Sequence, residues 1–250
     1  RKRTRNSTRK KGPERARQSN RVVKAQGQSG PGQPGPGQPG PGQPGPDCAL
    51  CPRLEAFRRD NRNLYPSFHN APVPSFGPRD ARLLIVGLAP GLKGANQTGR
   101  PFTGDYAGDL LYATLLKFGL AEGSYDRHAG DGLRLVDCRI TNAVRCVPPQ
   151  NKPTPQEITT CRDFLEEEIT ALPRLRFILA LGAIAHAAVV KVQGLPAARV
   201  RFGHGALHEL PSGVMLADSY HCSRYNTNTG RLTAEMFEAV FARIREVMKA

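Results

Sequence analysis

The stretch Leu83-Leu-Ile-Val86 runs without a break into Gly87-Leu-Ala-Pro-Gly91 and on through Leu92-Lys-Gly-Ala-Asn-Gln-Thr-Gly-Arg-Pro-Phe-Thr-Gly-Asp105. Four apolar residues read as a buried strand, and the five glycines and two prolines that follow read as a long loop with an exposed backbone. In open α/β sheets the crevice beyond the carboxyl ends of the strands is where ligands bind. This loop supplies an amide (Asn96), a cation (Arg100), a stacking ring (Phe102) and an acid (Asp105) within ten positions. It is not a Walker loop, because Lys93 is followed by Gly94 where a magnesium-binding Ser or Thr would stand.

Downstream, helical and strand patterns alternate. Tyr106 to Phe118 places Leu110, Leu111, Thr114, Leu115 and Phe118 on one helical face, and Leu133 to Thr141 reads as a second strand ending at Asn142. Thr154-Pro-Gln-Glu157 is a capping box that opens a helix with the stripe Ile158, Cys161, Leu165, Ile169. Phe177-Ile-Leu-Ala-Leu181 is a third strand, followed by the apolar helix Ala183 to Val192; Val214-Met-Leu-Ala217 is the fourth strand, and Thr233 to Lys249 the last helix. The expectation is an α/β fold: a central four-stranded, mainly parallel sheet with helices on both faces. Asp105, Asn142 and His221 then each follow a strand and meet at one sheet edge, although they are far apart in sequence.

The first 46 residues stand outside this pattern. Residues 1 to 24 carry eleven Lys and Arg against the single acid Glu14, ten of the fifteen net positive charges, and residues 30 to 46 repeat Pro-Gly-Pro-Gly-Gln. Neither piece can bury a core, so residues 1 to 46 are expected to be a disordered basic arm and linker, with one domain over 47 to 250. A polybasic arm on a mildly basic domain fits a polyanionic partner. No apolar run approaches the ~18 residues of a membrane span, and the arm lacks the apolar core of a secretory signal, so the expectation is a soluble, intracellular protein without a membrane partner.

Six cysteines occur, at 48, 51, 138, 146, 161 and 222. Cys48-Ala-Leu-Cys51 is a closely spaced pair, and Cys146 and Cys161 flank a Pro-Pro loop and the start of the capped helix. Thiolates at such spacings bind zinc or an iron-sulfur cluster, and spacing leaves both open. Cys138 reads as packing.

Taken together, Cys48-x-x-Cys51, Gly87-Leu-Ala-Pro-Gly91, Thr98-Gly-Arg-Pro-Phe-Thr-Gly-Asp105, Ile140-Thr-Asn-Ala-Val-Arg-Cys146, Asn151-Lys-Pro-Thr-Pro155, Cys161 and the segment from Tyr220-His-Cys-Ser-Arg-Tyr-Asn226 to Thr233 resemble the family 5, or type B, uracil-DNA glycosylases. The family 4 enzymes are kin to these. The resemblance spans nearly all of 47 to 250. It implies a uracil-DNA glycosylase-like fold and hydrolytic excision of uracil, and of other deaminated bases such as hypoxanthine, from double- or single-stranded DNA. It also implies a four-iron, four-sulfur cluster on Cys48, Cys51, Cys146 and Cys161. Where some relatives carry a water-activating acid, Leu88-Ala89 stands here; Cys222 departs from the proline or small apolar residue expected after the histidine.

Under this resemblance a flipped base stacks on Phe102 beside Gly87, Leu88 and Ala89, with Asn142 at its hydrogen-bonding edge. His221 donates to the leaving base, Asp105 stabilises the cationic sugar or orients water, and Asn151 positions that water. Arg224, Tyr225 and Asn226 enter the DNA minor groove or fill the gap left by the base. The expected setting is cytoplasmic, at the bacterial nucleoid, and the expected state a monomer. A competing reading is a non-catalytic iron-sulfur or zinc module that binds nucleic acid. If the arm engages DNA, deleting residues 1 to 46 weakens binding and flattens its dependence on salt, measured by titrating affinity against ionic strength. An unchanged slope would show the arm to be idle.

Overall fold

The computed structural model describes Gly40 and residues 42 to 249; the arm and most of the repeat lie outside the described residues, and so does what was expected of them. The elements are α1 (Pro52–Leu64), β1 (Leu83–Gly87), α2 (Ala95–Thr98), α3 (Tyr106–Lys117), β2 (Ala121–Glu122), β3 (Arg134–Leu135), β4 (Cys138–Asn142), α4 (Pro155–Thr160), α5 (Arg162–Thr170), β5 (Phe177–Leu181), α6 (Ala183–Val192), β6 (Leu207–Glu209), β7 (Met215–Ser219), α7 (Arg224–Asn228) and α8 (Ala234–Lys249). The main sheet has the order β4-β1-β5-β7-β6. Four strands are parallel and β6 pairs antiparallel to β7, one strand more than the sequence reveals.

Strand alternation explains the two covered faces. Leu83, Ile85, Ile140, Phe177, Leu179 and Ala217 point toward α3 and α8 and pack with Leu111, Leu115, Phe237 and Phe241. Leu84, Val86, Ile178, Ala180 and Leu216 point the other way, onto Leu165 of α5 and Ala185 and Val189 of α6. A sheet buried on both sides needs unbroken apolar strands, and β1 and β5 are of that kind.

The expected second strand is split: Asp137 adopts φ 54° between β3 and β4, and β3 pairs with β2 in a separate two-stranded hairpin. The capped helix is also broken, with Cys161 serving both as the last residue of α4's cap and as the start of α5. The capping box itself is complete: Thr154 Oγ1 accepts from the Glu157 amide, and Glu157 Oε2 accepts from the Thr154 amide. Among the described residues no helix is long and apolar enough to cross a membrane.

The outer edge of β4 is occupied by the segment before β1, where Phe76 and Ile140 exchange both backbone hydrogen bonds. Beneath it lies a buried ionic cluster. Glu168 of α5 accepts from Arg139 through Oε1 and from Arg145 through Oε2 at 3.4 Å, while Arg145 Nη1 donates to Ser75 Oγ at 2.6 Å. The Arg145 side chain is 0% exposed and that of Glu168 2%. Gln43, at the end of the repeat, closes the cluster by donating to Ser75 Oγ and Glu168 Oε2 and accepting from the Ser75 amide. Removing one member of such a buried set strands the others in a low dielectric. Glu168→Ala is therefore expected to cost about 3–5 kcal/mol of unfolding free energy, measured by urea denaturation. A loss below about 1 kcal/mol would mean the cluster is hydrated rather than buried.

Candidate active site

Parallel pairing aligns the strand ends: Gly87 lies opposite Asn142, and Ala180 and Leu181 lie opposite Asp218 and Ser219. At this carboxyl edge one cavity of about 360 Å³ is lined by Leu88, Ala89, Phe102, Asp105, Asn142, Asn151, His221 and Arg224, together with Pro90, Gly91 and Tyr106. The structure thus gathers eight of the residues singled out from sequence around one hollow. Gly87 lies just behind it. A Cβ there would sit 2.6 Å from the Phe102 ring and would clash with Asn142 Oδ1, so only glycine lets that ring and that amide close over the strand end.

Phe102 is held in the left-handed region, φ 53°, at the turn before α3. The hold comes from Arg100, whose guanidinium makes a bidentate pair with Asp131 at 2.8 and 2.6 Å and donates through Nε to Thr103 Oγ1. Phe76, Tyr112 and Tyr125 surround the same cation with their rings 5.2 to 5.9 Å away. This pairing keeps the Asp131 carboxyl well below its ordinary range.

Asp105 is the N-cap of α3, with Oδ1 accepting from the Gly108 amide at 3.1 Å. Its Oδ2 faces the glycine loop, 3.4 Å from where a Cβ of Gly91 would stand. One oxygen therefore serves the helix and the other is turned toward the loop. Burial raises the Asp105 pKa, and the helix amides pull it back. Asn151 follows Gln150 in a short 3-10 turn in which both residues have φ 56°, an uncommon backbone state that presents an exposed Asn151 at the cavity rim.

His221 stands two residues beyond β7. Its ring lies 5.9 Å from Phe102 at an interplanar angle of 29°, and burial pushes its pKa down to about 4. At neutral pH the imidazole is uncharged and carries one N–H donor. Ser223 caps α7, which lifts Tyr225 into solvent at 71% exposure, while the Arg224 guanidinium lies 5.3 Å from the Tyr106 ring. Asn226 turns inward instead, and its Nδ2 donates to the His221 carbonyl at 2.8 Å. Tyr225 and Asn226 do not line the cavity.

Sequence reasoning missed the supports behind His221. His186 of α6 meets Asp218 Oδ1 through Nδ1 at 2.8 Å and the Val200 carbonyl through Nε2 at 3.0 Å. Two acceptors require two N–H donors, so this ring is an imidazolium paired with a buried carboxylate, and its pKa is raised accordingly despite the opposing effect of burial. No periodicity marks such a residue.

Away from this cavity, Cys48, Cys51, Cys146 and Cys161 line a second, small pocket at the start of α1, the loop after β4 and the α4/α5 junction. Arg58 Nη1 points at Cys146 Sγ at 3.5 Å, and the Arg145 amide donates to Cys161 Sγ at 3.4 Å. As free thiols Cys146 and Cys161 resist ionisation: burial pushes Cys146 up to about 12 and Cys161 up to about 11. Among the described residues no three His, Cys, Asp or Glu side chains are grouped to hold one metal ion. Cys138 and Cys222 are fully buried in the core.

A family model described as the uracil DNA glycosylase superfamily matches residues 74–245. The chain is 48% identical over 195 residues to a type-5 uracil-DNA glycosylase of Thermus thermophilus, covering 76% of this chain and 89% of that one. It is 42% identical over 208 residues to a type-5 uracil-DNA glycosylase of Mycobacterium tuberculosis, covering 80% and 78%. A type-4 uracil-DNA glycosylase of Pyrobaculum aerophilum is more distant, 36% identical over 123 residues, 49% of this chain and 55% of that one.

Proposed function

The chain belongs to the uracil-DNA glycosylase superfamily, among relatives of type 5, and we propose that it hydrolyses the N-glycosidic bond of uracil, and of other deaminated bases such as hypoxanthine, in DNA to leave an abasic site. The observation that carries this is the single cavity in which an aromatic face, an amide, an uncharged histidine and a carboxylate meet at the sheet edge. A base cannot be cut while stacked, so it is extruded into the cavity. Phe102 supplies the stacking face and Asn142 the hydrogen-bonding edge. The volume suits a bicyclic purine as well as uracil, which supports the broader substrate class.

Bond breaking places positive charge on the sugar and negative charge on the departing base. The neutral His221 donates its N–H to the base's carbonyl oxygen as the anion develops, a preorganised interaction worth about 3 kcal/mol. Because its pKa is depressed to about 4, this donor does not change charge between pH 5 and 9. The Asp105 oxygen not used by the α3 cap faces the developing cation or orients water, and Asn151 at the rim positions that water. Leu88 and Ala89 wall the cavity without offering a base. Arg224 and the projecting Tyr225 suit insertion into the minor groove or the gap left by the flipped base. Such an enzyme works in the cytoplasm at the nucleoid, as a monomer. A non-catalytic nucleic-acid module would have no use for this cavity, and excision of uracil from an oligonucleotide separates the two.

The second pocket suits a four-iron, four-sulfur cluster held by Cys48, Cys51, Cys146 and Cys161. The buried thiols of Cys146 and Cys161, which resist ionisation on their own, stand with the half-buried Cys48 and Cys51, and a guanidinium and an amide are aimed at the two buried sulfurs; this is the donor set and surrounding support that such a cluster takes. Holding such a group, Cys48 and Cys51 beside α1, Cys146 after β4 and Cys161 at the α4/α5 junction would tie these segments together.

His221→Ala is expected to slow excision from single-stranded uracil-containing DNA about a hundredfold or more while leaving the fold intact by circular dichroism. Rates like those of the unaltered protein would remove His221 from the mechanism. Freshly purified protein is expected to show a broad absorption band near ~400 nm, lost in Cys146→Ala along with the iron. Zinc in place of iron by elemental analysis would overturn the cluster assignment.

A further inference from the structure

We propose that His204 is a positioning residue for His221, acting through the Tyr220 peptide; this rests on the glycosylase reading above. Residues 220 and 221 have left β7, so their backbone groups have no strand partner and must be satisfied otherwise. The Tyr220 amide donates to His204 Nδ1 at 3.2 Å, and the Tyr220 carbonyl accepts from Ser219 Oγ at 2.9 Å. With Asn226 holding the His221 carbonyl, side chains meet the Tyr220 amide and the carbonyls of both Tyr220 and His221. The His204 ring also stacks on Tyr220, 4.9 Å between centroids at 12°, and the Arg231 guanidinium covers that ring at 4.7 Å.

His204 is itself anchored to β7. The Gly203 amide donates to Asp218 Oδ2 at 3.3 Å, the Gly205 amide to the Asp218 carbonyl at 2.8 Å, and Asp218 is the carboxylate paired with His186. The chain thus makes a closed circuit: Asp218 holds the turn at 203 to 205, the turn carries His204, and His204 returns to hold the peptide two residues beyond Asp218. Accepting an amide N–H requires His204 to be neutral with its proton on Nε2. Burial lowers its pKa from the ordinary histidine value, in keeping with that state. Misplacement of a catalytic donor by a fraction of an ångström lowers the chemical rate without altering DNA binding.

Asparagine and glutamine at position 204 distinguish positioning from simple packing, because the Asn side-chain oxygen falls near the place of Nδ1 and the Gln oxygen near that of Nε2. Single-turnover kcat and KM are measured on uracil-containing single-stranded DNA for the full chain, H204N and H204Q, with melting temperatures recorded. The expected result is a kcat for H204Q reduced about tenfold or more with KM within about twofold, and a kcat for H204N within about threefold of the unaltered protein. Equal kcat values for H204N and H204Q, whether both high or both low, would overturn the proposal. Should neither variant fold, Ser219→Ala is measured for the same split, and an unchanged kcat there overturns it. Absence of excision by the unaltered protein would instead sink the glycosylase reading.

Discussion

The parallel register that sets Gly87 beside Asn142 is the contact on which the cavity depends. It carries Asn142 to the end of β1, and the absence of a side chain at Gly87 lets the Phe102 ring close on the same point. The same alignment runs on through β5 to Ser219, so that His221 arrives opposite Phe102 from the far side of the sheet. A shift of any one strand by a residue would exchange its core-facing and outward-facing sets, and the two apolar layers forbid that. Hydrophobic burial thereby fixes positions that polar residues use.

Three buried ionic groups refine those positions. Arg100 with Asp131 secures the turn that carries Phe102, Glu168 with Arg139 and Arg145 ties α5 to β4 beside the four cysteines, and His186 with Asp218 anchors the turn behind His221. Buried pairs contribute little net stability compared with well-packed apolar residues, since desolvation offsets most of their attraction. Here each has a member one to three residues from a cavity side chain or a cysteine. Geometry is the benefit, because a bidentate or doubly donating partner fixes direction as well as distance.

The parts of this fold that were legible in sequence are those with a strong apolar signal. Phe177 to Leu181 and Ala183 to Val192 stand where the pattern puts them, since a doubly buried strand and an apolar helix have unambiguous composition. Strand β6 was invisible because Leu207-His-Glu209 is too short to alternate, and α1 because its face is rich in Arg, Asn and Asp. The break at Cys161 left the helical stripe intact, so periodicity ran straight across it. For the cavity, the loop motifs pointed to the side chains that line it. His204, Ser219 and His186 act through individual hydrogen bonds to loop backbone, His186 also through its pair with Asp218, and such bonds leave no repeating mark. The inward turn of Asn226 was hidden for the same reason.

The two margins of the main sheet bear on how the protein behaves in a crowded solution. A strand with free N–H and C=O groups along one side is a template on which another molecule can add a strand of its own, the first step toward aggregates. At β4 the segment around Phe76 already occupies Ile140's outward groups, and the opposite border is a strand of only three residues ending in Glu209. Neither border presents a run long enough to recruit a neighbour. The sheet can therefore keep its apolar strands, which the cavity requires, without inviting self-association through its edges.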